Sequence, residues 1–434
     1  MEVITIGKKL QWWVKVGLRV TIVIPSVIFI SYNIPKSVNL IYNNHMVQLS
    51  KKIIDIDQKL KILGESAQFD LCGACATQIE RKRHPEGGWI YPAVAPDGKR
   101  INLLKILLSN DCIHNCYYCG NREGRSGDRS RFSPEELVRL FLTMGEKGLV
   151  RGLFLSSAVD RNPFRTMEDM LKVTELLRLK HHFSGYIHLK ILPESTTDYI
   201  DAAVRLATRV SINIEAPGPT YLKKIAPQKN FNLIWNKFLY LRELAQKGIT
   251  ARAGFTTQLV VGGSEESDQA IMKTVSTLYR DFSMNRAYYS AFHPISRTPL
   301  ADKPPESTWR EHRLYQADFL FRKYCFGLDE FIFNRNGNLP LETDPKTLWA
   351  LNHPEFFPIE INTASYQQLL RIPGIGPISA QRIVHHRKEN HFHDLKSLQS
   401  IGIRAQIAAP YILLSGKRFW VPQQLSLFPR YVAG

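Results

Sequence analysis

The chain has 434 residues, long enough for about two or three domains, and its 44% hydrophobic and 22% charged residues exclude a disordered protein. Its 57 Lys and Arg residues outnumber its 39 Asp and Glu residues, and the net charge of +18 favours a polyanionic partner such as nucleic acid or an anionic membrane surface. The six cysteines fall in two clusters and a singleton, which excludes a disulfide framework and suits a reducing, cytoplasmic location.

Residues 1–45 differ from the rest of the chain because they contain an apolar run from Val20 to Tyr32. The run is shorter than the roughly 20 residues of a membrane-spanning helix, so it suits an interfacial anchor or part of a signal segment. Our preferred interpretation is a dispensable extension. Residues 46–100 form an N-terminal segment with a short helix and the pair Cys72 and Cys75, whose spacing allows an auxiliary metal site or a pair of structural or redox thiols.

Three cysteines lie close together in the next segment, at Cys112, Cys116 and Cys119. A Cys-x3-Cys-x2-Cys loop can place three thiolates around one small object, and soft ligands of this kind bind zinc, copper or an iron–sulfur cluster. A structural zinc site would need a fourth protein ligand, such as His114 or a distant residue. A [4Fe–4S] cluster held by three cysteines would instead leave one iron open to a substrate or cofactor.

Strand and helix patterns alternate beyond the cysteine loop, which predicts an α/β fold with a parallel sheet. A Ser133-Pro134 pair followed by two glutamates is typical of a helix start. In barrels of this type, the chemistry lies at the C-terminal ends of the strands. The predicted strands cover residues 101–108, 152–157, 186–192, 209–215, 251–261 and 286–292, and the later predicted helices cover residues 167–180, 197–207, 232–247 and 268–280.

The cysteine spacing, with Tyr118 just before the last cysteine, resembles the radical S-adenosylmethionine (radical SAM) superfamily. This resemblance implies a partial (β/α)6 barrel over residues 101–300 and a [4Fe–4S] cluster on Cys112, Cys116 and Cys119. It further implies that S-adenosylmethionine binds the open iron and that an electron donor supplies the reducing electron. Cleavage of the sulfonium would then release a 5′-deoxyadenosyl radical, which abstracts a hydrogen atom.

The resemblance also implies a set of cofactor-binding residues at the strand ends. A Gly-Gly-Glu-like turn that holds the methionine amino group is replaced here by two serines. Asn213 and Glu215 lie two positions apart in the strand predicted over residues 209–215, so they share one face of it. By the resemblance, they would contact the ribose or the carboxylate of S-adenosylmethionine. The expected cofactor-binding residues are Tyr118, Ser156, Ser157, Asn213, Glu215, Gly262 and Gly263, and Lys190, Glu194, His293 and Arg297 are further candidates for contacts with phosphate or carboxylate groups. The sequence names no residue that quenches or relays the radical.

Residues 301–355 are predicted to form a connector and residues 356–418 a small all-α domain. Its segment Leu-Leu-Arg-Ile-Pro-Gly-Ile-Gly-Pro, residues 369–377, resembles the DNA-binding helix-hairpin-helix of competence and repair proteins, and residues 392–403 resemble the second half of a tandem. This implies that Gly374, Ile375 and Gly376 form the hairpin, and that its N–H groups and Arg382 contact phosphate without reading sequence. Residues 359–434 carry nine Lys or Arg and three Asp or Glu residues, a net charge of +6.

The tail, residues 419–434, contains Gln424-Leu425-Ser426-Leu427-Phe428. This stretch resembles the peptide with which bacterial proteins bind the sliding clamp. The resemblance implies that Gln424, Leu425, Leu427 and Phe428 contact the clamp, with the leucines and the phenylalanine as apolar anchors.

Taken together, residues 47–425 resemble the bacterial family of DNA modification or repair radical SAM proteins. The resemblance implies an enzyme that modifies or repairs a nucleotide presented flipped or single-stranded. Its expected partners are DNA, the sliding clamp and another DNA repair enzyme. Two alternatives remain open at this point: a radical SAM enzyme that modifies RNA, and a non-catalytic nucleic-acid-binding protein whose cluster is structural or redox-sensing.

Overall fold

The computed structural model describes residues 55–67, 89–94, 100–125 and 127–419, together with three short N-terminal strands. The strands β1 (Trp12–Val16), β2 (Arg19–Val23) and β3 (Phe29–Asn33) pair antiparallel in that order. They belong to one compact unit, Met1–Lys59, and the rest of the chain forms a second unit. The pair Cys72 and Cys75 and the tail peptide Gln424–Phe428 lie outside the described residues.

A curled sheet of seven strands forms the centre of the second unit, in the order β10-β9-β8-β7-β6-β5-β4. Six strands, β5 to β10, pair parallel, and β4 joins the edge antiparallel. The predicted partial (β/α)6 barrel is thereby confirmed. The strands are β4 (Ile90–Val94), β5 (Arg100–Leu107), β6 (Gly152–Ser156), β7 (Tyr186–Lys190), β8 (Arg209–Ser211), β9 (Phe255–Val261) and β10 (Arg286–Ala291).

Most of the helices connect these strands and are amphipathic, so that their apolar faces can cover the sheet. The predicted start at Ser133 is a complete capping box, in which the Ser133 hydroxyl and the Glu136 carboxylate each accept a backbone N–H. None of the described helices is long and apolar enough to cross a membrane. The helices are α1 (Ile56–Ser66), α2 (Pro134–Glu146), α3 (Pro163–Glu175), α4 (Thr197–Leu206), α5 (Pro219–Ile225), α6 (Phe231–Gln246), α7 (Asp268–Phe282) and α8 (Thr308–Tyr324).

Two predicted strands are each four residues too long. The strand predicted over residues 209–215 ends at Ser211, and beyond it Glu215 makes only a single bridge to Leu259 because its φ of +65° turns the chain away from the sheet. The strand predicted from residue 251 begins at Phe255, directly after Gly254, whose φ of +66° breaks the extended conformation. The edge strand β4 and the short helix α5 were not predicted.

The C-terminal domain packs four short helices around a shared apolar core. It also contains β11 (Ile359–Glu360) and β12 (Ile412–Leu413), which pair parallel, so the predicted all-α domain includes a small two-stranded sheet. Its buried residues include Ile361, Leu369 and Ile383. The helices are α9 (Pro345–Asn352) in the connector and then α10 (Tyr366–Arg371), α11 (Pro377–His386), α12 (Leu395–Ser400) and α13 (Ala405–Ala408).

Helix α8 runs between the two ends of the barrel. Near its start, the Glu311 carboxylate accepts a 2.7 Å hydrogen bond from the backbone N–H of Ala291, the last residue of β10. At its end, Tyr324 packs against the core of the C-terminal domain and shares a cleft with Arg286, the first residue of β10. The C-terminal domain therefore packs on the end of α8 that lies beside the N-terminal end of this strand.

Candidate functional site

A cavity of about 380 Å³ lies at the C-terminal ends of the barrel strands. Ser156 and Lys190, the last residues of β6 and β7, line it, and the loop that follows β5 brings the three cysteines to its wall. The structure thus brings together eight of the predicted site residues. These are Cys112, Cys116, Cys119, Tyr118, Ser156, Ser157, Asn213 and Glu215.

The predicted glycines of β9 lie elsewhere. Gly262 has a φ of +82°, a left-handed conformation that favours glycine, and a Cβ at this position would lie 2.3 Å from the Glu306 carboxylate. Its backbone N–H donates to Glu266. Gly262 therefore makes room for the protein's own carboxylates, neither Gly262 nor Gly263 lines the cavity, and Val260 is the β9 residue near this end that does.

Backbone hydrogen bonds attach the cysteine loop to two other loops of the barrel. The N–H of Ile113 donates to the carbonyl of Val159 after β6 at 2.7 Å, and the N–H of Tyr117 donates to the carbonyl of Ile225 at the end of α5 at 2.8 Å. The N–H of Glu123 closes the loop on the carbonyl of His114 at 2.9 Å. These bonds fix the loop backbone independently of any ligand.

Arg129 braces the same loop with its guanidinium. Its two terminal nitrogens donate to four backbone carbonyls, which belong to Asn110, Asn121, Arg122 and Arg125. The last two distances are both 3.0 Å. A planar fork with several fixed donors suits this task better than a single ammonium group. Arg129 therefore acts as a positioning residue for the cysteine loop.

We expect Arg129→Ala to lower the free energy of unfolding by roughly 2–4 kcal/mol, because several charge-assisted hydrogen bonds to half-buried carbonyls are lost. The iron content after anaerobic reconstitution should fall as well, and Arg129→Lys should recover only part of both losses. Urea unfolding and iron analysis measure these effects. Arg139→Ala, at an exposed position on α2, is the matched control, and an equal change in both variants would contradict the assigned role.

The three cysteines are free and their burial disfavours the thiolate form. Burial raises the pKa of Cys116 to about 12 and that of Cys119 to about 11. A bound cationic iron centre reverses this effect, since it stabilises coordinated thiolates directly. The backbone N–H of Asn121 also donates to the sulfur of Cys119 at 3.3 Å, a contact typical of ligating thiolates. The donor set therefore fits an iron–sulfur cluster.

A buried ion pair stands beside the cysteines. The Lys229 ammonium donates to the Glu215 carboxylate at 2.7 Å, and the two side chains are only 10% and 4% exposed. Asn213 and Tyr118 also donate to Glu215. Burial acts to lower the pKa of Lys229, but the charge of Glu215, its hydrogen bond and the nearby Cys116 and Cys119 together outweigh burial and raise that pKa above its ordinary value. Sequence reasoning missed Lys229, because it lies in an ordinary-looking turn between α5 and α6.

Two oxygens at the site are buried and have no hydrogen-bond partner among the described residues. They are Oδ1 of Asn213 and Oε2 of Glu194. Such acceptors are costly unless a ligand or water donates to them. Asn213 lines the cavity, so its oxygen fits an amino or hydroxyl group of S-adenosylmethionine, whereas Glu194 does not line it. In the described part of the chain, no three His, Cys, Asp or Glu residues form a group that could hold a single metal ion.

The other candidates divide between the cavity and its rim. Lys190 and His293 line the cavity. The other oxygen of Glu194 contacts the Nε2 atom of His114 at 2.5 Å, so His114 is engaged by this carboxylate. Arg297 lies in the turn after β10, has a φ of +63° and does not line the cavity.

The predicted hairpin of the C-terminal domain connects α10 and α11. Ile375 is buried at 1% exposure in the domain core, and its carbonyl accepts a hydrogen bond from the buried ammonium of Lys346. Within the described residues, the N–H groups of Gly374 and Gly376 meet no acceptor. Gly374 is needed for close packing, because a Cβ there would lie 3.0 Å from Ile407.

Arg382 lies at the second hairpin instead of the first. Its guanidinium donates to the carbonyl of Ile401 at 3.0 Å, next to Gly402, whose φ of +80° marks the turn between α12 and α13. Arg404 follows at the start of α13, and both arginines are exposed. Two exposed arginines of this domain therefore lie at the second hairpin, where the sequence analysis predicted no contact residue.

Two family profiles match the chain. The radical SAM superfamily matches residues 106–278, which include the cysteine loop and most of the barrel. A helix-hairpin-helix motif matches residues 356–403 in the C-terminal domain. A comparison with curated protein sequences gave no match.

Solved structures with a similar arrangement cover part of the chain. HydG, a maturase of the [FeFe]-hydrogenase, has a TM-score of 0.39 and 15% identity, with 49% of this chain and 48% of that chain aligned. HydG from Carboxydothermus hydrogenoformans has a TM-score of 0.37 and 17% identity, with 49% of this chain and 49% of that chain aligned. Methylornithine synthase (PylB) has a TM-score of 0.38 and 16% identity, with 48% of this chain and 59% of that chain aligned. The chain thus spans about half the length of the structures it matches.

Proposed function

The chain carries a radical SAM domain with its [4Fe–4S] cluster and S-adenosylmethionine, followed by a helix-hairpin-helix domain, and from this premise we propose that it modifies or repairs DNA. When bound and reduced, the cluster supplies the electron that cleaves S-adenosylmethionine to a 5′-deoxyadenosyl radical. The substrate would be a nucleotide that is flipped out or single-stranded, because a base stacked within a duplex cannot enter a cavity.

The observation that carries this proposal is the cavity lined by all three loop cysteines, in a chain that also holds a hairpin domain. In the proposal, Cys112, Cys116 and Cys119 hold the cluster. Tyr118, Asn213, Glu215 and the serines Ser156 and Ser157 orient S-adenosylmethionine, since they line the same cavity and offer donors and acceptors. The apolar part of the wall excludes water from the radical.

The helix-hairpin-helix domain is proposed to grip the phosphate backbone without reading bases. The N–H groups of Gly374 and Gly376 remain available for this contact at the first hairpin, and Arg382 and Arg404 add positive charge at the second. The net charge of +18 supports a polyanionic substrate. DNA is favoured over RNA because the tail carries the sliding-clamp-like peptide with Gln424, Leu425, Leu427 and Phe428.

Further partners follow from the same proposal. The sliding clamp would recruit the enzyme to DNA, a second repair enzyme would act before or after it, and an electron donor would reduce the cluster. All of these act in the cytoplasm, and the six cysteines, with no disulfide framework, suit this reducing compartment.

Anaerobic reconstitution with iron and sulfide tests the proposal. The protein should turn brown and convert S-adenosylmethionine to 5′-deoxyadenosine and methionine under dithionite. With deuterated oligonucleotides, deuterium should appear in 5′-deoxyadenosine, and mass spectrometry identifies the donor position. Deuterium transfer from RNA but not from DNA would assign the enzyme to RNA, and a colourless zinc protein without turnover would refute a radical mechanism.

We expect Arg382→Ala and Arg404→Ala to weaken binding of duplex DNA by a similar factor for every sequence, because both cations would contact phosphate. Each should reduce the slope of log Kd against log salt concentration by roughly 1. Fluorescence anisotropy over a salt series measures this slope. Lys147→Ala, on an exposed turn of the barrel, is the matched control. Loss of binding to some sequences but not others would contradict phosphate contact.

A further inference from the structure

The outward side of α8 carries residues that are unusual for a solvent-exposed helix. Trp309 is 60% exposed and Phe319 is 44% exposed. These two residues, with His312, Gln316 and Lys323, follow each other at intervals of three or four and therefore share one helical face. We call this set the outer face of α8. Exposed aromatic rings are surfaces on which unpaired bases can stack.

Cations lie beside both exposed rings. The guanidinium of Arg313 stands 5.5 Å from the centre of the Trp309 ring, and that of Arg322 stands 5.9 Å from the Phe319 ring. Each cation is fixed by a protein partner, since Arg313 donates to the carbonyl of Leu341 and Arg322 to Asp318. The rings are thereby held in place with one side open to solvent.

A cleft of about 400 Å³ adjoins this face and is lined by both aromatic and basic residues. Arg286 and Arg322 contribute two guanidinium groups, and Arg322 is paired with Asp318. Lys346 also lines the cleft, but its Nζ atom donates to the carbonyl of Ile375, and burial lowers its pKa to about 7. Asp344, which caps α9, is the carboxylate of the lining. The Nε atom of Arg286 is buried without a hydrogen-bond partner in the described part of the chain. The cleft therefore offers a guanidinium group, that of Arg286, with a donor that has no protein partner, and such a group complements an anionic ligand.

The position of α8 links this face to both functional regions. Its first half leads from the cavity end of the barrel, where Glu311 contacts the end of β10, and its last residue, Tyr324, packs on the hairpin domain. A helix of 17 residues is about 25 Å long. The outer face of α8 thus lies along the surface between the hairpins and the cavity.

We propose that the outer face of α8 and its cleft bind single-stranded DNA, with Trp309 and Phe319 stacking on bases and the cations of the cleft contacting phosphates. This combination of flat rings and cations binds unpaired strands, whereas bases in a duplex are already stacked on each other. The inference deepens the proposed function and rests on it. It assigns α8 the task of guiding an unwound strand from the hairpin domain toward the cavity.

The test compares the full-length protein with the variant Trp309→Ala plus Phe319→Ala. Fluorescence anisotropy with a labelled oligothymidine should show binding weakened about tenfold or more, since stacking on one aromatic side chain contributes substantially to each base. Binding of a labelled duplex should change little. The variant Trp309→Phe plus Phe319→Tyr keeps both rings and should bind like the wild type, and Phe164→Ala, another exposed aromatic position, is the control.

A second measurement does not depend on any variant. Irradiation of the wild-type protein with a 5-iododeoxyuridine oligonucleotide should crosslink peptides that contain Trp309 or Phe319, as read by mass spectrometry. Equal oligothymidine binding by the wild type and the alanine variant, or crosslinks only elsewhere, would overturn the inference. A wild type that binds duplex but no single strand would overturn it and leave the hairpin proposal standing. A wild type that binds neither would refute both.

Discussion

Replacement of Cys116 by alanine should abolish cluster assembly and reduce the formation of 5′-deoxyadenosine to background. Cys116 is the most buried of the loop cysteines at 7% exposure, and Cys325, the described cysteine outside the loop, does not line the cavity and so cannot replace it. A cluster that already leaves one iron without a protein ligand would lose a second ligand in this variant. We therefore expect a loss of the whole activity and not a graded decrease.

Iron and sulfide analysis, the visible absorption spectrum and the yield of 5′-deoxyadenosine measure this loss. Cys325→Ser is the matched control, because Cys325 is free and exposed at the end of α8, outside the cavity. The control should load iron and cleave S-adenosylmethionine like the wild type. A brown, active Cys116→Ala protein would show that the loop does not hold the catalytic cluster.

The sequence predicted those parts of the site that depend on local pattern. The alternation of strands and helices placed Ser156 and Lys190 at strand ends, and parallel strands bring such ends to one edge of the barrel. The spacing of the cysteines also predicted that the three lie close together, because residues within one short loop cannot lie far apart. In the structure they line the same cavity. The Ser133 capping box also depends only on neighbours in the chain.

The missed parts depend on contacts between distant loops. Lys229 donates to Glu215 from a turn 14 residues later in the chain, and His114 contacts Glu194, which is 80 residues away in sequence. Arg129 donates to backbone carbonyls of the cysteine loop. None of these pairs has a spacing that hydrophobic periodicity or a motif could reveal. The Gly262 assignment came from motif likeness alone, and the side chain of Glu306, from a later loop, fills the space that the motif would keep for a ligand.

The arrangement of the two domains also changes how the substrate must approach. The hairpin domain packs against Tyr324 at the end of α8, which shares a cleft with Arg286 at the start of β10, whereas the cavity lies at the opposite ends of the strands. In the proposed function, a strand that follows α8 from the hairpins toward the cavity would cover the length of this helix, about 25 Å. This separation favours an enzyme that anchors DNA in one place and acts on a strand some distance away.

Lys229→Met should destabilise the protein by about 3–5 kcal/mol, because it leaves the buried carboxylate of Glu215 without its charge partner. The double variant Glu215→Gln plus Lys229→Met removes both charges, and a neutral pair in a buried site costs far less than one isolated charge. We expect the double variant to recover most of the lost stability. Urea unfolding under anaerobic conditions measures all three proteins.

The double variant Glu215→Gln plus Lys229→Met also distinguishes a structural role of Glu215 from a role in cofactor binding. If its carboxylate orients S-adenosylmethionine, the double variant should fold and load iron normally, yet show a raised KM for S-adenosylmethionine. A double variant with wild-type stability and wild-type KM would mean that the pair serves packing alone. If Lys229→Met were as stable as the wild type, the carboxylate would have to be neutral or solvated, contrary to its 4% exposure and its 2.7 Å contact with the ammonium. The burial of both groups makes the isolated charge the most costly change at this site.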